Sequence, residues 1–250
     1  MIDFHTHVLS GLDDGAAKDE ESFALLNEEL AQGVHTVLLT PHYYCRYRSP
    51  KDFLEIRNEI FERLRNGLPQ GLSVRLGAEV HFEEETVLSK EDFCLLAIEG
   101  TKLVLTELPF YSAWQESLLD KLSLFASETG CTPVLAHVER YEAIHKHPKL
   151  LGEFIRRGWL LQVNTSSFFD RRNASLAVAM LKHGMIHCLG TDTHNLTDRA
   201  PDYADCKNRV EKLGLKKEWS VAQDTMRRLL NGETVAPCAA CVHRFGHKYF

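Results

Sequence analysis

The sequence lacks an excess of basic charge. Its 29 lysines and arginines stand against 35 aspartates and glutamates, a formal net charge of −6, so it carries no electrostatic footprint for coating a nucleic acid or an anionic membrane. No nucleic-acid partner is expected. The chain also has no long apolar run, and its opening Met1-Ile2-Asp3-Phe4-His5-Thr6-His7 has no basic segment leading into an apolar one. Neither a signal peptide nor membrane insertion is expected, which points to a cytoplasmic protein. Cysteine is odd in number at seven and scattered, with Cys238 and Cys241 the only close pair; reduced thiols fit this better than a disulfide framework. Internal repeats, linkers and low-complexity tracts are missing as well, so one domain is the default.

What is present is a chain of 250 residues, 44% hydrophobic, which suffices to bury a single-domain core. Short β-rich apolar runs recur at about 2–5, 35–40, 73–79, 102–107, 132–137, 159–164 and 186–191. Between them lie amphipathic patterns, including Asp19 to Gln32 with Phe23, Leu26 and Leu30 at helical spacing, and Pro50 to Arg65 with Phe53, Ile56, Ile60, Phe61 and Leu64. Alternating strand and helix imply parallel strands joined by crossover helices, in a doubly wound sheet or a barrel. Residues 80–101 are the least regular; the acidic Glu83-Glu84-Glu85, Glu91 and Asp92 read as a solvated loop or helix face and receive no role.

Every expected strand but the sixth hands over to a metal-competent residue near its C-terminal end: His5 and His7, then His42, Glu79, Glu107, His137, and Asp192 with His194. In barrel enzymes those ends form the active face, so residues far apart in sequence converge in one mouth. His5-Thr6-His7 puts two imidazoles on one side of an extended backbone, and Asp192-Thr193-His194 repeats the spacing. Asp14, in the loop after the first strand, adds a carboxylate. Nine candidates exceed the needs of one ion and suggest two or three with a bridging carboxylate. Nitrogen and oxygen ligands without thiolate suit manganese, iron or zinc.

Clustered ions bring the pKa of a bound water from about 15.7 toward neutrality, and hydrolysis follows naturally. Arg140, just past His137, and Arg199, just past His194, offer guanidinium forks that match phosphate oxygens. The cysteines are read as lying outside any phosphate-cradling Cys-x5-Arg loop, Cys45 being followed by Arg46 and Arg48, so a thiol-dependent phosphatase is not expected.

These blocks resemble the polymerase and histidinol phosphatase superfamily, and within it the bacterial metal-dependent tyrosine phosphatases of capsule and exopolysaccharide biosynthesis. The resemblance is carried by Met1 to His7, Leu12-Asp13-Asp14-Gly15, Thr40-Pro41-His42, Gly77-Ala78-Glu79, Thr106-Glu107-Leu108-Pro109, Ala136-His137-Val138-Glu139-Arg140-Tyr141, Gln162-Val163-Asn164-Thr165-Ser166-Ser167 and Asp192-Thr193-His194-Asn195. It runs to about Val235. It implies a distorted TIM-like (β/α)7 barrel with a metal site at the C-terminal ends of the strands, holding three ions usually assigned as manganese. Carried over by position, His5, His7, Glu79 and Asp192 would hold one ion, Glu79, Glu107 and His137 a second, and Asp14, His42 and His194 the third. Arg140 and Arg199 match the family's phosphate-binding arginines. The implied substrate is phosphotyrosine on the tail of a partner autokinase that controls polysaccharide export.

Two features depart from the pattern. The family often has a double proline after the second arginine, where this chain has Arg199-Ala200-Pro201. The segment 236–250, with Cys238, Cys241, His243 and His247, has no counterpart and is set apart as a tail of unknown role beyond a barrel of residues 1–235. Rival readings on the same site are a histidinol-phosphate phosphatase or another small-molecule phosphomonoesterase, a non-catalytic phosphoprotein-binding regulator, and, more remotely, a proofreading nuclease.

Overall fold

Helix and strand alternate in a computed structural model that describes residues 1–111, 113–238, 241–246 and 248–250. The chain runs through β1 (Ile2–Thr6), α1 (Asp19–Ala31), β2 (Thr36–Leu39), β3 (His42–Tyr43), α2 (Pro50–Arg65), β4 (Ser73–Leu76), β5 (Glu79–His81) and α3 (Lys90–Leu95). It continues through β6 (Leu103–Glu107), α4 (Glu116–Thr129), β7 (Thr132–Leu135), α5 (Glu142–Lys146), α6 (Lys149–Arg156) and β8 (Leu160–Asn164). The last barrel elements are α7 (Ala174–Lys182), β9 (Cys188–Gly190), α8 (Tyr203–Lys212) and α9 (Lys216–Leu230).

All pairings among β1 to β9 are parallel, in the orders β1-β2-β4 and β3-β5-β6-β7-β8-β9. The two groups are one curled sheet with local breaks. β2 and β3 are a single path interrupted at Thr40-Pro41, where proline has no N–H to give the ladder; β4 and β5 are likewise interrupted at Gly77-Ala78. Bonds across the breaks keep the paths in register: the N–H of Thr40 donates to the Thr6 carbonyl (2.9 Å), Gly77 to Leu39 (2.8 Å) and Glu79 to Pro41 (3.0 Å). The sheet closes where the Asp192 N–H donates to the His5 carbonyl (2.8 Å) and the His7 N–H to that of Thr193 (2.9 Å). Each of the seven expected runs becomes one strand path, and the result is the expected distorted barrel. The strand expected over 73–79 divides into β4 and the start of β5, and the one expected over 35–40 ends at the break before β3.

Strands β6 and β8 are buried along their whole length, as parallel strands covered on both faces require. Helix α2 starts where the Ser49 hydroxyl accepts the Asp52 N–H (3.2 Å) and Pro50 takes the first turn, and it buries Phe53, Ile60 and Leu64. Helix α3 settles the open loop-or-helix reading of the acidic stretch. Its Ser89 caps the Asp92 N–H (3.0 Å), Phe93 is buried beneath it, and the acidic Glu91 and Asp92 occupy its first turn, where they favour the positive end of the helix.

The tail forms an antiparallel hairpin, β10 (Arg244–Phe245) with β11 (Lys248–Tyr249). It packs on the barrel through buried Val242 and Tyr249, whose hydroxyl meets His145 Nδ1 at 2.8 Å. Cys241 Sγ lies 3.1 Å from His243 Nε2, Cys238 Sγ lies 3.1 Å from the His183 carbonyl, and His247 falls outside the described residues.

Two predictions follow from this packing. A Cβ added at Gly190 would sit 2.6 Å from His5 Cβ and 2.8 Å from its backbone N, whereas one at Gly152 in α6 meets only the flexible Arg156 tip at 3.4 Å. Gly190→Ala is expected to cost about 1–3 kcal/mol, roughly 2–10 °C in Tm, while Gly152→Ala should be neutral or stabilising by about 0.5–1 kcal/mol; paired thermal melts check both. The second concerns His187, whose Nδ1 accepts the Leu161 N–H at 3.1 Å. Burial pushes its pKa from 6.5 down to about 4. The unfolded chain therefore binds a proton that the folded one refuses between those values, so stability is full above about pH 6.5 and lost as pH falls toward 4, by on the order of 3 kcal/mol. Melting temperature against pH should fall less steeply across that window in His187→Asn.

Candidate metal centre

The two histidines at the end of β1 define the floor of the mouth. Both are fully buried, and their Nε2 atoms lie 3.0 Å apart. Each ring is held from behind: the Gln162 side-chain carbonyl takes the His5 Nδ1–H (3.2 Å), and Asp13 takes the His7 Nδ1–H (2.7 Å). These partners fix Nδ1 as a donor in each ring, so Nε2 is the nitrogen each ring offers to the mouth. Glycine makes the approach of Asp13 feasible, since a Cβ at Gly15 would fall 2.0 Å from the His7 carbonyl oxygen.

The remaining candidates close around this pair. Glu79 Oε2 lies 3.3 Å from His5 Nε2, 3.4 Å from His7 Nε2 and 2.8 Å from His42 Nδ1, while its Oε1 is 3.0 Å from His137 Nε2. Glu107 Oε1 stands 3.4 Å from the same His137 nitrogen. Asp14 Oδ1 bridges His42 (3.4 Å) and His194 (3.2 Å). His194 gives its Nδ1–H to the Asp192 carbonyl (2.9 Å), which again leaves Nε2 as a lone pair toward the cluster. Asp192 turns Oδ1 to His7 (3.3 Å) and Oδ2 to Arg140 (3.1 Å) and Arg199 (2.7 Å). All nine ligand candidates and both arginines are thus brought together.

His137 and Asp192 are the non-glycine residues with left-handed backbone among the described residues, at φ 32° and 55°. Such conformations cost roughly 1–3 kcal/mol each and cluster at functional sites. Here each lies just past a strand end and turns a side chain into the mouth.

The donor set fits divalent cations. Three overlapping groups have their ligand atoms within 4.8 Å of one another: His7, Asp14, His42 and His194; His5, His7 and Asp192; His42, Glu79 and Glu107. His42 Nδ1, Glu79 Oε2 and His194 Nε2 are buried with no hydrogen-bond partner, although the first two are only 2.8 Å apart. Buried lone pairs left unpaired are costly, and a cation between them removes the cost. Burial would push Glu79 up and His7 down, but mutual attraction prevails: His5, His137 and His42 hold Glu79 well below the usual carboxylate range, and Asp13, Asp192 and Glu79 hold His7 well above the usual imidazole range. Against burial, Glu107 and Glu79 bring His137 up to about 10. Without a cation, protons on the rings balance the carboxylates; binding a cation displaces them.

Several residues here had no assigned role in the sequence reading. Asp13 also accepts the His42 N–H (2.9 Å), and Gln162 also accepts the His137 N–H (2.7 Å). Asn164 donates to Asp192 Oδ2 (2.9 Å), and His81 Nδ1 lies 3.0 Å from Glu107. Period two was the available signal: Gln162 and Asn164 share a strand side, as do Glu79 and His81. The cysteine reading needs a correction, because Cys238 and Arg244 do have the Cys-x5-Arg spacing. They line different cavities, with Arg244 donating to the His145 carbonyl (2.6 Å), so they form no phosphate cradle.

A sequence model of the family described as "Capsular polysaccharide synthesis, CpsB/CapC" matches residues 1–231. The chain is 27% identical over 253 residues to tyrosine-protein phosphatase CpsB of Streptococcus pneumoniae, covering 94% of this chain and 100% of that protein. It is 30% identical over 209 residues to tyrosine-protein phosphatase YwqE of Bacillus subtilis, covering 80% of this chain and 79% of that one. A structure reported for YwqE and CpsB as unique metal-dependent tyrosine phosphatases superposes with a TM-score of 0.79 at 25% identity, over 94% of this chain and 96% of the other. Dihydropyrimidinase of Brevibacillus agri, at 12% identity and a TM-score of 0.52 over 96% of this chain and 74% of that one, shares the fold alone.

Asp13→Ala and Gln162→Leu each remove an acceptor that fixes a histidine tautomer. Each is expected to weaken divalent-metal binding roughly 10- to 100-fold, read by competition with a chromogenic chelator. Unchanged affinity in both would mean that these contacts do not orient the rings.

Proposed function

The chain belongs to the CpsB/CapC family of capsular polysaccharide synthesis proteins, and we propose that it is a metal-dependent protein-tyrosine phosphatase, a phosphoric monoester hydrolase. The observation that carries this reading is the convergence of histidine ring nitrogens and carboxylates beside two arginines that meet on Asp192. His5, His7, Glu79 and Asp192 would hold one ion, Glu79, Glu107 and His137 a second, and Asp14, His42 and His194 a third, with manganese the expected metal. Bound divalent ions supply an acidified water and polarise a phosphoryl oxygen.

The chain's own residues do the rest. Arg140 and Arg199 each keep 38% of the side chain exposed, so their outer N–H groups can take phosphate oxygens while Asp192 holds them in place. The Arg140 guanidinium lies 5.3 Å over the Phe110 ring, which limits its swing. Together they orient the phosphoryl group and neutralise the charge that grows on its oxygens as the tyrosinate departs. The catalytic unit is assigned to residues 1–235, with 236–250 as an appended tail.

The substrate is a tyrosine-phosphorylated protein, proposed to be the tail of a bacterial tyrosine autokinase regulating polysaccharide synthesis, and the site of action is proposed to be the cytoplasm. Among the described residues no helix is long and apolar enough to cross a membrane.

Metal-stripped protein should be inactive on a phosphotyrosine peptide and regain turnover when manganese is added, and Arg140→Ala should lose on the order of 100-fold in kcat/KM. Histidinol phosphate, assayed alongside, should be a poor substrate. Selective turnover of it would keep the site and overturn the substrate; activity surviving thorough metal removal would overturn the mechanism.

A further inference from the structure

A cavity of about 500 Å³ opens beside the ligand cluster and shares Asp14 and His42 with it. Its other walls include Leu12, Tyr44, Tyr47 and Phe53. We infer that this cavity receives the phenyl ring of the substrate phosphotyrosine, making Tyr44 and Tyr47 specificity-determining residues; this rests on the tyrosine-phosphatase reading above.

The geometry supports that occupant. A phosphoryl group held at the cluster carries its ester oxygen, and the ring attached to it, out past one of the cluster's walls. Asp14 and His42 belong both to the cluster and to the cavity lining, so a ring leaving on that side enters it directly. Tyr44 stands half-buried, its ring centroid 5.6 Å from that of His42 and 5.2 Å from that of His81. Tyr47 stands at the rim with 69% of its surface exposed, more than core packing requires of so large a ring. The two rings meet edge to face at 5.7 Å. A ring entering between them and Phe53 would find the edge-to-face and offset surfaces that aromatic groups prefer.

The wall is also ordered before any substrate arrives. The Arg46 guanidinium lies 4.8 Å over Tyr47 and 5.6 Å over Tyr44. The Tyr47 N–H donates to the Tyr44 carbonyl (3.1 Å), and the Tyr43 hydroxyl to the Arg48 carbonyl (3.0 Å). A pre-ordered site loses less freedom on binding. The aromatic group across the mouth is less available: Phe110 already stacks on His137 at 5.5 Å and carries Arg140 at 5.3 Å.

The consequence is selectivity for aryl over alkyl phosphate esters, which a phosphoserine side chain cannot exploit. The test compares manganese-loaded wild type, Tyr44→Ala, Tyr44→Phe and Tyr47→Ala on phosphotyrosine and phosphoserine peptides of the same flanking sequence, with metal content measured for each. Tyr44→Ala is expected to lose roughly tenfold in kcat/KM on phosphotyrosine, mainly through KM, and less than about twofold on phosphoserine. Tyr47→Ala should lose roughly threefold in the same pattern, and Tyr44→Phe should stay near wild type. Equal losses on both peptides, or no loss on either in both alanine variants, would overturn the aryl cavity. If wild type hydrolyses phosphoserine but not phosphotyrosine, the tyrosine-phosphatase reading itself fails.

Discussion

The arrangement depends on one electrostatic constraint: histidine rings and carboxylates are turned toward each other in a largely buried mouth. Glu79 and Asp192 approach His5 and His7 from two sides within 3.6 Å. Like charges about 4 Å apart repel by roughly 4 kcal/mol at an effective dielectric constant near 20, so such a set is tolerable only with compensating positive charge. Ring protons provide it in the free protein, and divalent cations can provide it more compactly. Other local features serve this convergence: strand paths that end at one rim, left-handed backbone at His137 and Asp192, and glycines at 15 and 190 where any side chain would collide with β1.

The same strand that supplies the histidines also closes the barrel beneath them. Asp3, two residues before His5, accepts the His5 N–H (3.0 Å) and the Thr191 hydroxyl (2.6 Å) and N–H (3.1 Å). It thereby ties β1 to the residue that precedes Asp192. Burial pushes its carboxyl up to about 6 despite those bonds, and burial together with the neighbouring Asp3 pushes Glu29 well above its usual range. A proton shared in this pair lets two carboxyls lie inside the core. The opening Asp-Phe-His-Thr-His pattern therefore encodes a seam as well as a pair of ligand positions.

Much of this was legible in the sequence because it rests on short-range rules. Period two put His5 with His7, the strand-end rule put Asp192 and His194 at the same rim, and apolar runs between amphipathic stretches located each strand path. What stayed hidden depends on which neighbour the fold brings up. Nothing near Gln162 in sequence reveals that its carbonyl serves His5 and the His137 amide at once, and nothing near Asp13 distinguishes its work behind His7 from that of Asp14 in front of His42 and His194. The break at Thr40-Pro41 was visible as a proline, but its meaning required knowing that Glu79 would donate to the Pro41 carbonyl. The acidic stretch at Glu91 and Asp92 reads as a solvated loop or helix face, and it is the first turn of α3, with neither carboxylate buried.

Asp192 links the ion cluster to the phosphate-facing arginines. One of its oxygens faces His5 and His7, and the other accepts from Arg140, Arg199 and Asn164. A shift in either set must therefore move the other, and the loop carrying Arg199 has to be stiff. Hydrogen bonds supply that stiffness: the Asn195 side-chain oxygen accepts the N–H groups of Thr197 (2.9 Å), Asp198 (2.9 Å) and Arg199 (3.2 Å), and the Arg199 carbonyl accepts the Thr193 hydroxyl (2.7 Å) and the His194 N–H (3.0 Å). An Asx-type turn of this kind fixes the backbone through converging donors. It brings the arginine to Asp192, where the guanidinium meets Oδ2 at 2.7 Å, and so holds the guanidinium in the mouth.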